Sequence, residues 1–249
     1  MTNRNDSSNC LNCGAPLEGK YCKECGQSSR VGRITVMETL ESFLSSAFSI
    51  EGKYFHTLFT FFRNPGKVVR GFIEGKRNTY YKPVAFFILN TAIYLIVRSL
   101  LDYDPLEGQQ AMKDSDVPVN MQKIRNGSRF MVQNINNILF LLVFSIAINL
   151  KLFFRKRYNF AEYATLGFYV SATYILMGLI TMFTSFFFGF DLKQFQIIVL
   201  AILIFYTLVS FFQDNSIGNI LKYLLVCILS LIFYVFFGFS LSYLIVNYF

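Results

Sequence analysis

Five stretches without a charged residue constrain this chain more than any other feature. Fifteen uncharged residues separate Lys82 from Arg98, 21 separate Arg129 from Lys151, 28 separate Glu162 from Asp191, 20 separate Lys193 from Asp214, and 27 follow Lys222. A helix rises ~1.5 Å per residue, so roughly 20 apolar residues cross a hydrocarbon core about 30 Å thick. The first stretch is the shortest, and it reaches that length if Arg98 snorkels to the interface and Leu100 and Leu101 continue the run. Five buried helices of a soluble protein would need polar faces to meet water, and these stretches have none. Charged residues are 15% of the chain, against roughly 25% in a soluble domain, so the deficit falls where lipid would be the solvent. A lipid-facing barrel needs short alternating segments, whereas "LLVCILSLIFYVFFGF" (224–239) is continuously apolar. Helices satisfy their own backbone inside lipid. The expected fold is an all-α membrane protein of about five transmembrane helices.

Charge distribution predicts the orientation. Residues 1–82 carry 12 Lys/Arg and 7 Asp/Glu, and 151–162 carry 4 and 1, which accounts for the whole net charge of +8. With five spans these two segments share a side, and clustered Lys and Arg stay cytoplasmic. The N-terminus is therefore expected in the cytoplasm, with the acidic loop 102–118 and the C-terminal Phe249 outside. The first 33 residues lack an apolar core, so no cleavable signal is expected and the first span inserts the chain.

Ahead of the spans stands "NCLNCGAPLEGKYCKECGQ" (9–27), with two Cys-x-x-Cys-Gly knuckles. In a reducing cytosol these cysteines are not disulfides. Cys10, Cys13, Cys22 and Cys25 suit one tetrahedral Zn²⁺ per chain in a closed structural site, and Gly14 and Gly26 suit the left-handed turn behind each pair. A segment this short has no core of its own, so the metal would serve as one. A redox dithiol pair is the alternative. Lys20 and Lys23 are balanced by Glu18 and Glu24, so no nucleic-acid partner is expected. Cys227, in the last span, reads as a small buried hydrophobe.

Between knuckles and membrane, residues 26–33 read as a flexible linker. Thr35 and Glu38 form a capping box opening an amphipathic helix with Met37, Leu40, Phe43, Leu44, Ala47 and Phe48 on one face. A second helix would place Tyr54, Phe55, Leu58, Phe59 and Phe62 on one face, with His56, Thr57, Thr60 and Arg63 opposite. Both either lie in the cytoplasmic membrane interface or pack on the protein's own cytoplasmic face. "RNPGKVVRGFIEGKRNTYYKP" (63–83) then gathers Lys67, Arg70, Lys76, Arg77 and Lys82 around two turn signals, with Tyr80 and Tyr81 at the membrane edge. It reads as an orientation anchor or as a lipid-headgroup or phosphate site. The regions are thus a ribbon (1–27), a linker with interfacial helices and basic juxtamembrane segment (28–82), and a transmembrane domain (83–249).

The block "YCKECGQ", the "GRIT" that follows, and "RNPGKVVRGFIEGKRNTYYKP" resemble an uncharacterised bacterial family of zinc-ribbon, multipass inner-membrane proteins classed as a domain of unknown function. The resemblance covers nearly the whole chain and implies a bacterial inner-membrane location, but no activity. Such proteins often carry a histidine after the acid in the connection that reads "RYNFAEY" here, where this chain has Tyr163. The architecture is also similar, by fold-level analogy only, to the five-span Yip1-type membrane proteins.

Little chemistry remains inside the spans. Asn90, Asn149 and Glu162 are the candidate polar intramembrane residues, each also readable as helix–helix glue or, for Glu162, as a partner of a helix dipole. No Ser-His-Asp set, H-E-x-x-H motif or P-loop occurs, and no catalytic residue is assigned. The expected function is a membrane scaffold or adaptor whose ribbon docks a cytosolic or membrane partner. A small-solute or lipid transporter with a regulatory ribbon is the alternative and should show a polar cavity between spans. A lipid-headgroup enzyme is the third reading and should bring His56 and Glu162 within hydrogen-bond reach.

Overall fold

A computed structural model describes residues 9–29, 31, 52–106, 118–189 and 192–248. The amphipathic helix expected from Thr35 and most of the acidic loop lie outside the described residues. Within them are eight α-helices: α1 (Lys53–Arg63), α2 (Pro65–Glu74), α3 (Pro83–Leu100), α4 (Val119–Gln133), α5 (Ile135–Phe153), α6 (Phe160–Phe188), α7 (Gln196–Phe212) and α8 (Ile217–Tyr248), with one 3₁₀ turn, Lys193–Phe195, ahead of α7.

Local chemistry sets the boundaries. Pro65 disfavours helical backbone at Asn64, so α1 stops there, and the Asn64 side chain accepts from the Lys67 amide at 3.0 Å to start α2 with Pro65 in its first turn. Gly75, at φ 115°, ends α2 in the left-handed region, and the Lys76 amide closes back on the Gly71 carbonyl at 2.8 Å. Residues 63–83, expected as a basic stretch between turns, thus contain a full helix. Its Val68, Val69, Phe72 and Ile73 are buried, because V-V-x-x-F-I repeats at helical spacing.

Five helices are long and apolar enough to cross a membrane: α3, α5, α6, α7 with its preceding turn, and α8. The chain is a multipass membrane protein. α6 packs on α3 and α5, α5 also packs on α8, and α7 closes against α8, α6 and α2. The outward faces carry the residues that water would reject. On α8, Leu224, Ile228, Ile232, Phe236 and Phe237 are exposed, while Tyr223, Cys227, Ser230, Tyr234, Gly238 and Ser242 form the buried stripe. Cys227 is buried, as expected. Arg98, in the last turn of α3, donates to the carbonyls of Tyr103 and Gln133.

α4 is a helix that the sequence reading left unassigned, between the acidic loop 102–118 and the second span. It runs beside the far end of α8, where a Cβ built on Gly127 would lie 3.1 Å from Tyr243 Cα, and the Lys123 ammonium sits 5.8 Å from the Tyr248 ring centroid. Its Lys123, Arg125 and Arg129 hid it among loop charges.

Candidate metal centre and its platform

The ribbon is a repeat of one knuckle. The Cys10 amide donates to Ala15 O and the Gly14 amide to Cys10 O; twelve residues on, Cys22 donates to Gln27 O and Gly26 to Cys22 O. Antiparallel bridges Asn9–Pro16 and Tyr21–Ser28 close the two turns. Gly14 and Gly26 stand at φ 81° and 69°, as the left-handed turn requires. Paired knuckles point the four sulfurs inward, all ligand atoms within 4.8 Å of one another. Cys10 Sγ lies 3.6 Å from Cys25 Sγ, and Cys13 Sγ lies 3.6 Å from Cys22 Sγ. A disulfide would need about 2.05 Å. Sulfurs placed tetrahedrally about a centre at Zn–S distance would be about 3.8 Å apart. The cluster fits a metal ion.

Electrostatics points the same way. Burial of Cys10 opposes ionisation, but the amides of Cys13 and Asn12 and the Cys25 thiol outweigh it, and its pKa falls to about 7. At Cys13 an amide hydrogen bond from Ala15 favours the thiolate, yet desolvation and the three neighbouring thiols push the pKa up to about 12. The first thiolate forms readily and the last does not unless a cation balances the charge.

The ribbon is not tethered loosely. Gln27, read as linker, is buried: its amide donates to Gly75 O at 2.7 Å and its carbonyl accepts from the Asn78 amide at 3.1 Å. The Asn78 side chain donates to Cys25 O, and Thr79 donates to the Asn12 side chain. Val31, also read as linker, is buried, and Val31 and Leu11 pack where a Cβ on Gly75 would fall. The sequence holds one signal for this contact. Gln27 occupies the position of Ala15 in the first knuckle, a long amide where the repeat needs none.

The juxtamembrane residues are consumed by the fold to differing degrees. Arg70 donates to the carbonyls of Ser210 and Phe211 (2.6 Å to the latter), capping the end of α7. It is therefore engaged with protein rather than held out for a headgroup. Lys67 and Lys76 are exposed, and Arg77 and Lys82 are half-buried. Burial, then repulsion from Lys53, lowers the pKa of Lys82. Tyr80 and Tyr81, just ahead of the first span, are buried in the protein. The Tyr81 amide donates to Thr57 Oγ1 at 2.7 Å and its carbonyl accepts from Tyr169 of α6 at 2.6 Å. Thr57, placed on the polar face by periodicity, is fully buried by that bond. On α1, Tyr54 and Phe61 face the protein, whereas Phe55, Phe59 and Phe62 are exposed, so the expected single apolar face is divided between two environments.

The structure does not bring the intramembrane candidates together into a reactive group. Asn90 accepts from Tyr54 Oη at 2.5 Å and donates to Phe86 O, and Asn149 donates to Ser145 O. Glu162 forms a capping box with Asn159: the Asn159 amide donates to its carboxylate at 2.7 Å, and the Glu162 amide donates to the Asn159 side chain at 2.8 Å. Tyr163 donates to Phe154 O. His56 is exposed and stacks on Tyr80, with centroids 5.8 Å apart. Glu162→Ala should therefore lower thermal stability by about 1 kcal/mol through loss of the cap, while Glu162→Gln should stay close to wild type in a detergent melting assay. Equal damage from both would mean the carboxylate does more than cap.

Fold and site together define a five-span membrane protein with a four-cysteine metal-site ribbon docked on its juxtamembrane helices. A family model described as "Protein of unknown function (DUF3667)" matches residues 51–95. That segment contains α1, α2, the ribbon-docking turn and most of α3. No curated protein and no solved structure matches the chain.

Proposed function

We propose that the protein is a non-enzymatic membrane adaptor of the bacterial inner membrane, whose ribbon holds one structural Zn²⁺ and presents a fixed cytoplasmic surface to a protein partner. The observation that carries this reading is the clamp of Gln27 and Asn78 between ribbon and juxtamembrane turn, which makes the ribbon part of a rigid platform. Four thiolates and no open ligand position suit a structural metal. The cytoplasmic assignment rests on the basic residues, which gather at the ribbon end of the bundle and in the 151–162 connection. On the outward side of the ribbon, Tyr21 is 66% exposed beside the Lys23–Glu18 ion pair, an amphipathic anchor of the kind partners bury.

The test is a photo-cross-linking residue placed at position 21 in the full-length protein, expressed in cells. One discrete protein adduct, lost when Cys13→Ser is added, is the expected result. Adducts with lipid alone, or a protein adduct indifferent to Cys13→Ser, would overturn the reading. A small-solute or lipid transporter is the second reading; the cavity between spans in the half of the bundle away from the ribbon is mainly apolar, which favours its lipid form. A lipid-headgroup enzyme is the third reading; in the structure His56 stacks on Tyr80 and Glu162 caps α6.

A further inference from the structure

The cavity between α3, α4, α6, α7 and α8 has a volume of about 550 Å³. It is several times the space a water needs, and within the range of small-molecule sites. Its body is apolar, built by Met131, Ile135 and Leu200. Three tyrosines of the spans, Tyr94, Tyr174 and Tyr234, set its polar points. Tyr94 stands beside Asn136. Tyr234 is only 5% exposed and its hydroxyl has no hydrogen-bond partner among the described residues. An unmade hydrogen bond at that depth is costly, because neither water nor backbone is at hand. At the outer rim, Lys193 places its ammonium 5.0 Å from the Tyr103 ring centroid and is the charged residue of the wall. Two further wall residues, Ile197 and Val235, are themselves exposed (54% and 42%), so on that side single side chains form the wall of the cavity.

We infer that this cavity binds one anionic amphiphile, with its acidic head at Lys193, an oxygen acceptor on the Tyr234 hydroxyl, and its apolar body along Met131, Ile135 and Leu200. A cation at interfacial depth selects an acidic head, and an apolar body walled by the spans selects an acyl chain. A soluble polar solute does not match the apolar wall. Two sources share this chemistry, a bilayer phospholipid and a free fatty acid.

The experiment is native mass spectrometry of the full-length protein, delipidated and titrated with phosphatidylglycerol, phosphatidylcholine or laurate. The wild type should bind one phosphatidylglycerol or one laurate more tightly than phosphatidylcholine; whichever of the two binds tighter names the source. Lys193→Gln should weaken that binding about tenfold and Tyr234→Phe about fivefold, as expected for a charge-assisted and a neutral hydrogen bond. Lys193 lies on a partly exposed turn and Tyr234→Phe removes only a hydroxyl, so both variants should melt with the wild type. Absence of a bound anion, no preference over phosphatidylcholine, or affinities that neither substitution moves would overturn the assignment.

Discussion

Cys13→Ser should yield a purified protein without ribbon metal, where the wild type should carry one zinc per chain. The expectation follows from how little inside the ribbon itself holds its two knuckles together. Its two knuckles contribute a few backbone bonds and two short bridges, and its buried residues are chiefly Cys10, Cys22, Gln27 and the adjacent Val31. In zinc-finger peptides the metal supplies about 10–16 kcal/mol of apparent binding free energy, and that energy is the folding free energy. With one ligand gone, the remaining thiols are three acids in close contact, and the knuckles have no core to fall back on. The Gln27 and Asn78 contacts should go with them, so hydrogen exchange should rise at residues 75–80. The five spans pack among themselves and should keep their melting transition. Acid should act in the same direction. Metal binding requires thiolates, so protons compete with the ion, and zinc retention should fall as the pH is lowered and return as it is raised. Fresh, reduced wild-type protein with no zinc would overturn the assignment and make the four cysteines redox candidates.

What could be read in advance follows from the range of the forces involved. The spans were legible because lipid imposes a run of apolar residues that no nearby contact can relax, and all five charge-free stretches are helices of spanning length. The cysteine cluster was legible because its ligand spacing is local. The same holds for Glu162, whose capping box with Asn159 is a four-residue device. What escaped is tertiary. Nothing near Arg70 announces that its guanidinium will cap a helix 140 residues away, and nothing near Tyr81 announces Tyr169. A basic, aromatic stretch beside a membrane reads as an interfacial anchor, because the alternative, burial against the bundle, depends on partners far along the chain. Thr57 failed for a related reason: its periodicity placed it opposite the apolar residues, but one distant amide is enough to bury a hydroxyl. α4 failed because three cations in fifteen residues mask a helix that leans on α8.

Gly66→Ala should be the most damaging single substitution in the juxtamembrane segment, at about 3 kcal/mol or more. A Cβ built on Gly66 would lie 2.1 Å from Ser210 O, 2.2 Å from Ser210 C and 2.5 Å from the Phe211 amide nitrogen. All three are backbone atoms at the end of α7, so no side chain can rotate aside, and α2 and α7 must separate. That separation would carry away several bonds at once. The Gly66 amide donates to Ser210 Oγ at 3.0 Å, Ser210 donates to the Asn64 side chain at 2.7 Å, Tyr206 donates to Arg63 O, and Arg70 caps the Ser210 and Phe211 carbonyls. Because Arg70 and Gly66 share Ser210, Arg70→Ala added to Gly66→Ala should cost less than the sum of the two single changes. Gly52→Ala is the control, since a Cβ there meets nothing within 4 Å. The measurement is thermal melting in detergent, with zinc content determined on the same samples. The ribbon contacts residues 75–79 and makes no hydrogen bond to α7 among the described residues, so Gly66→Ala should loosen the bundle and retain zinc. Cys13→Ser should do the reverse. If Gly66→Ala instead melts with wild type, the platform is seated by its own contacts to α3 and α6, and the crossing with α7 is incidental to it.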